Sequence, residues 1–127
     1  MRLGGNENII VKKTIEFSLA IIEFVELLET NKKYVIAKQL LRSATSIGAN
    51  VHEAQNAESK IDFIHKFKIA AKEIEETRYW LFLCEHSKNY PNCQNLITDL
   101  LVIDKIVTKI ISTSKQQQLS NNQIDKL

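Results

Sequence analysis

The sequence predicts an all-α chain folded as an antiparallel up-down-up-down four-helix bundle, and three observations carry that expectation. Proline occurs once and glycine three times in 127 residues, too little turn-forming punctuation for a fold of many short strands. Apolar residues recur at steps of three and four along four long stretches, the spacing that keeps them on one face of a helix. The breaks between those stretches are short, so consecutive helices must pack antiparallel.

Residues 1–7 hold Gly4-Gly5 and read as a flexible lead, with Asn8 as a candidate cap. A first helix follows from Ile9 to about Thr30, with Ile10, Phe17, Ile21, Phe24 and Leu28 on one line. Asn31-Lys32-Lys33 is a polar break. The second helix is expected from Tyr34 to Ala57 and carries Leu40, Leu41, Ala44, Ile47, Val51 and Ala54. Ser59 can cap a third helix, with Asp62 as an acid three residues later. That helix holds Phe63, Ile64, Phe67, Ala70, Ala71, Ile74 and Leu81 at core spacing and ends near His86. After the turn at Asn89-Tyr90-Pro91-Asn92, a fourth helix shows Leu96, Leu100, Ile103, Val107 and Ile110. Residues 8–114 thus form one bundle domain, and the amide-rich residues 115–127 are expected to be a disordered tail.

Hydrophobic residues at 44% and charged residues at 25% are ordinary for a soluble globular chain. A net charge of +2 falls short of the strongly basic balance of most nucleic-acid-binding domains. The start, MRLGGNENIIVKK, has no long apolar core of a leader, and no stretch approaches the roughly 18 apolar residues of a membrane span. The expected compartment is therefore the cytoplasm, with no membrane partner and with Cys84 and Cys93 reduced.

The stretch LLRSATSIGANVHEAQ, residues 40–55, departs from an ordinary amphipathic helix. Between its apolar positions stand Ser43, Thr45, Ser46, Gly48, Ala49 and Asn50, where a solvated face would carry longer and better helix formers. Small residues there let a neighbouring helix come close. On the first helix Ile15, Leu19 and Ile22 lie opposite the core line, and on the third Ile69, Trp80 and Leu83 do so, with Tyr79 at the border. Large apolar side chains on an outer face mark an interface. Helices one and three occupy diagonal corners of an up-down bundle, so the two patches point in different directions. Two distinct patches suit a heterologous contact that closes into a ring. The expected oligomer interface is therefore Ile15, Leu19, Ile22, Ser43, Ser46, Asn50, Glu53, Ile69, Tyr79, Trp80 and Leu83, with Ser43, Ser46, Asn50 and Glu53 hydrogen-bonding across it.

LLRSATSIGANVHEA followed by DFIHKFKIAAKEIEETRYWL resembles the bacterial 23S rRNA intervening-sequence proteins. Relatives of that family include the accessory variability determinant of diversity-generating retroelements. The resemblance covers most of helices two and three. It implies a homopentameric ring without known catalytic activity, encoded in some genomes inside rRNA inserts. In the retroelement relatives the ring is basic and works with a reverse transcriptase and nucleic acid.

No constellation points to catalysis or to a cofactor. Cys84, His86 and Cys93 lack the close paired spacing of a zinc site. His52 and Glu53 are helical neighbours about 100° apart and so are not a preformed acid–base pair. Glu73, Glu75 and Glu76 read as a solvated face. Neither an enzyme, nor a bound metal, nor a cofactor is expected. Arg78 projects into the apolar stripe of helix three. It pairs there with a carboxylate among Asp99 to Asp104 or with Glu53 as a buried ion pair, or else snorkels to the bundle edge. Lys32, Lys33, Lys38 and Arg42, and separately Lys105 and Lys109, are solvated faces that repetition around a ring could turn into a weak nucleic-acid contact.

The expected function is a non-enzymatic, ring-forming scaffold associated with RNA, DNA or a nucleic-acid-processing protein. The alternative is a protein-protein interaction module that binds no nucleic acid.

Overall fold

The computed structural model describes residues 6–125. It contains four helices, α1 (Asn6–Thr30), α2 (Tyr34–Ala54), α3 (Lys60–His86) and α4 (Gln94–Asp125), and no strand among the described residues. Each helix packs on its sequence neighbours and α1 also packs on α4, while the backbones of the diagonal pairs stay further apart. The architecture is the expected up-down-up-down bundle. Every core position expected on α1 and α4 is buried. Leu41 of α2 and Ala71 of α3 are the exceptions in the expected core, and both reach the surface.

The connections show why the helices stop where they do. Lys33 N donates to Leu28 O at 2.8 Å and Lys32 N to Glu29 O at 2.9 Å, the paired bonds of a Schellman ending. Lys32 occupies the left-handed position at φ 63°, where glycine is the usual residue. Helix α2 ends at Ala54, not Ala57, because Gln55, Asn56 and Ala57 switch to bonds with the residue three back, a tightening that closes a helix. Ser59 caps α3 as expected, its hydroxyl accepting from Asp62 N at 3.0 Å. The Asp62 carboxylate in turn accepts from Glu58 N at 3.3 Å. Asn89 turns the chain at φ 65°, a conformation asparagine tolerates better than most residues.

Two boundaries differ from expectation. Helix α1 begins at Asn6, so Asn8 lies within it; residues 1–5 of the expected lead lie outside the described residues. At the other end α4 continues to Asp125, well past Ser114. Ser114 is buried, and Lys60 Nζ donates to Gln117 Oε1 at 3.0 Å. Lys and Gln are good helix formers, so this polar stretch carries α4 onward.

The small residues of α2 set how closely its neighbours approach. Ser43 and Thr77 meet between α2 and α3, both fully buried. A Cβ on Gly48 would lie 3.3 Å from Thr14 Cβ, so the missing side chain sets the spacing of α1 and α2.

Candidate interaction surfaces

The outward apolar set on α1 is present. Ile15, Leu19 and Ile22 are exposed, Leu19 by 60%. Ile15 and Leu19 border a shallow groove between α1 and α2 whose lining includes Thr14, Ser18, Thr45, Gly48, Ala49 and His52. On α3, Tyr79 is exposed by 56%, while Ile69, Trp80 and Leu83 are half-buried. Trp80 stands edge-on to Tyr79 with ring centres 5.3 Å apart, and its indole N–H donates to Glu76 at 3.0 Å.

Ser43 is not a surface residue. It has no solvent-accessible area, and its hydroxyl accepts from Thr77 at 2.9 Å, so its small size serves the α2/α3 contact within one chain. The other polar groups of the expected interface have partners in their own chain. Ser46 donates to Arg42 O at 2.7 Å and Asn50 to Ser46 O at 2.8 Å. Glu53 stands 3.7 Å from Lys66.

Arg78 pairs with Asp104 across the α3/α4 seam and with Glu75 at 3.3 Å. Its side chain is 39% exposed. The pair is therefore at the rim of the bundle, not buried, and both readings of Arg78 hold in part: it finds a carboxylate of α4 while its head reaches water. Its Nε alone is covered and has no acceptor among the described residues.

The basic residues divide. Arg42 pairs with Glu73 at 3.4 Å and with Glu76, which neutralises it in place and removes it from the expected patch. Lys32, Lys33 and Lys38 sit where α1 gives way to α2. Lys105 and Lys109 stand on α4, diagonal to α2, so the two groups do not merge.

Sequence reasoning missed an apolar groove of about 160 Å³ between α3 and α4. Leu81, Phe82, Ile97, Leu100 and Leu101 line it, with Arg78 and Glu85 at the edge. Phe82 and Leu101 are both exposed. The signal was present, since Phe82 stands off the core line of α3 as Trp80 does, and Leu101 stands off that of α4.

Among the described residues, no three or more His, Cys, Asp or Glu side chains gather where a metal ion could be held. The buried thiols are held protonated. Burial, then the neighbouring Cys93, pushes Cys84 up to about 12, and burial followed by the charge of Glu85 raises Cys93. No helix is long and apolar enough to cross a membrane among these residues.

The family model described as 23S rRNA-intervening sequence protein matches residues 6–112. The chain belongs to the 23S rRNA-intervening sequence protein family. A crystal structure from the S23 ribosomal protein family, of a Bacteroides thetaiotaomicron VPI-5482 protein with unknown function, is similar at 39% identity. The match covers 85% of this chain and 99% of that one, with a TM-score of 0.81. No curated protein matches the chain. The four-helix bundle of this intervening-sequence protein thus carries the family match through all four helices, and the last turns of α4 lie beyond it.

Proposed function

We propose that this intervening-sequence protein is a non-enzymatic scaffold that assembles with copies of itself into a closed ring of five and associates with nucleic acid or a ribonucleoprotein. The observation that carries the reading is the pair of outward apolar faces, Leu19 with its neighbours on α1 and Tyr79 with Trp80 on α3. Exposed aromatic and aliphatic groups concentrate binding energy. Faces on diagonal helices suit a heterologous contact better than one two-fold contact. The number five and the nucleic-acid setting come from the family resemblance.

Repetition supports the nucleic-acid part. Five copies would repeat each lysine cluster five times, and linked weak contacts gain through effective concentration. Gel shifts with structured RNA and with duplex DNA at low and moderate salt test the reading. A scaffold for nucleic acid binds one of them, with affinity falling steeply as salt rises. No shift at low salt would favour a module that binds only protein.

A further inference from the structure

We infer that the end of the bundle where α1 meets α2 and α3 meets α4 is a binding site for single-stranded nucleic acid, with the Tyr34 ring as a stacking platform inside a cluster of unpaired lysines. The site rests on the nucleic-acid reading above and gives it a location.

Two loops make this end, and they touch: Lys33 Nζ lies 5.0 Å from the centre of the Tyr90 ring. That contact brings Lys32, Lys33 and Lys38 to the same end as Lys88. Lys32, Lys38 and Lys88 are exposed, and none of the four pairs with a carboxylate among the described residues. Arg42, one turn further along α2, shows the contrast, since its charge is taken up by Glu73 and Glu76. Glu29 and Glu85 are the acids nearest the loops in the chain, and Glu85 faces His86 at 3.3 Å.

Within the cluster stand two apolar side chains that nothing covers. Tyr34 is 60% exposed and Val35 82%. They open α2, whose first turn holds no acid and whose preceding Lys33 makes no capping bond. Tyr34 and Lys38 are four residues apart and share a helix face, while Lys32 lies just before the ring in the turn. An exposed aromatic flanked by free cations on both sides matches what a single strand presents: a base face for the ring and phosphates for the ammonium groups. A duplex keeps its bases stacked away from such a ring. An acidic peptide would satisfy the lysines but leave the ring idle.

The opposite end differs. There Lys66 pairs with Glu53 at 3.7 Å, Lys60 is tied to the Gln117 amide at 3.0 Å, and the acids Glu58 and Asp62 flank Lys60 in the chain.

The test is fluorescence anisotropy of a short labelled oligouridylate titrated with the full chain between about 50 and about 200 mM salt. Tyr34→Ala should weaken binding about tenfold. Lys32→Gln with Lys38→Gln and Lys88→Gln should weaken it further and flatten the salt dependence by about 2 in log–log slope. Lys105→Gln with Lys109→Gln, the rival cluster on α4, should weaken binding far less than the loop-end changes do. All of these residues are exposed, and circular dichroism should show intact helices. Binding by the unmodified protein that survives the loop-end changes but is lost with Lys105 and Lys109 would overturn this site and keep the nucleic-acid reading. Preference for a duplex of the same length, or equal displacement by polyglutamate, would also overturn the site. Absence of any nucleic-acid binding would overturn both.

Discussion

The Thr77 hydroxyl donates to the Ser43 hydroxyl across 2.9 Å, with both residues fully buried between α2 and α3. Ser43 also donates to Leu40 O at 3.4 Å, so its oxygen is used as donor and as acceptor. Removing one partner strands the other, and a stranded buried hydroxyl costs about 1–3 kcal/mol. Ser43→Ala leaves Thr77 without its acceptor and is expected to cost more than Thr77→Val, which leaves Ser43 its carbonyl. Urea unfolding of the two single variants and the double variant measures this. The double variant should lose less than the sum of the singles; strict additivity would show that the hydroxyls do not depend on each other.

Arg78 and Asp104 give a second prediction. Both ends of the pair are about a third open to water, which screens it, so a double-mutant cycle between Arg78→Ala and Asp104→Ala should return no more than about 1 kcal/mol. Arg78→Leu should be at least as stable as Arg78→Ala, since the arginine borders the groove of Leu81, Phe82 and Ile97 and leucine returns apolar volume there. A coupling of several kcal/mol, or a leucine variant weaker than the alanine one, would contradict the rim placement.

The thiols predict how stability responds to alkali. Below the ordinary value of 9.0, Cys84 keeps its proton in both the folded and the unfolded chain. Between 9.0 and about 12 only the folded chain keeps it, so each unit of rising pH removes at most about 1.4 kcal/mol of stability. The unmodified protein should therefore lose stability faster than Cys84→Ala as pH rises above 9.0, measured by urea midpoints at matched ionic strength. The folded thiols should also react slowly with iodoacetamide at neutral pH and quickly once the chain is unfolded. Parallel pH profiles, or fast modification of the folded protein, would place Cys84 nearer to water.

The core lines were legible because burial repeats: Phe17, Ile21 and Leu28, or Leu100, Ile103 and Val107, need only a period to be read. What the sequence hid depends on which neighbour a residue faces. Ser43 is small and polar, a description that fits a contact between subunits and a buried hydroxyl pair equally, and only the position of Thr77 separates them. Arg42 reads as a free cation until Glu73 and Glu76 of α3 are set beside it. Lys32 ends α1 without the glycine that signals such a turn. The amides after Ser114 read as a tail because a polar helix carries no apolar period to announce itself. Of the expected surfaces, the α1 set was readable from Ile15, Leu19 and Ile22. The groove at Phe82 and Leu101 is hidden in the sequence because only the packing of α3 on α4 brings these two off-core residues together.

The last prediction concerns how the two outer faces are used. Trp80 rests partly on the core, so an acid there would loosen the single bundle as well as any contact between bundles. Leu19 and Tyr79 are cleaner probes, because each is more than half exposed in one chain and exposed substitutions cost a fold little. Leu19→Asp and Tyr79→Asp should each give a fully helical protein of lower mass by light scattering coupled to size exclusion. A heterologous contact joins the α1 face of one copy to the α3 face of the next, so each variant keeps one working half. Mixed in equal amounts, the two variants should therefore pair through their intact faces into a heterodimer that grows no further. Two-fold contacts predict another pattern: the face used against itself would fail in one variant, the other variant would keep its mass, and mixing would restore nothing. A monomeric unmodified protein, or variants of unchanged mass, would remove the ring altogether.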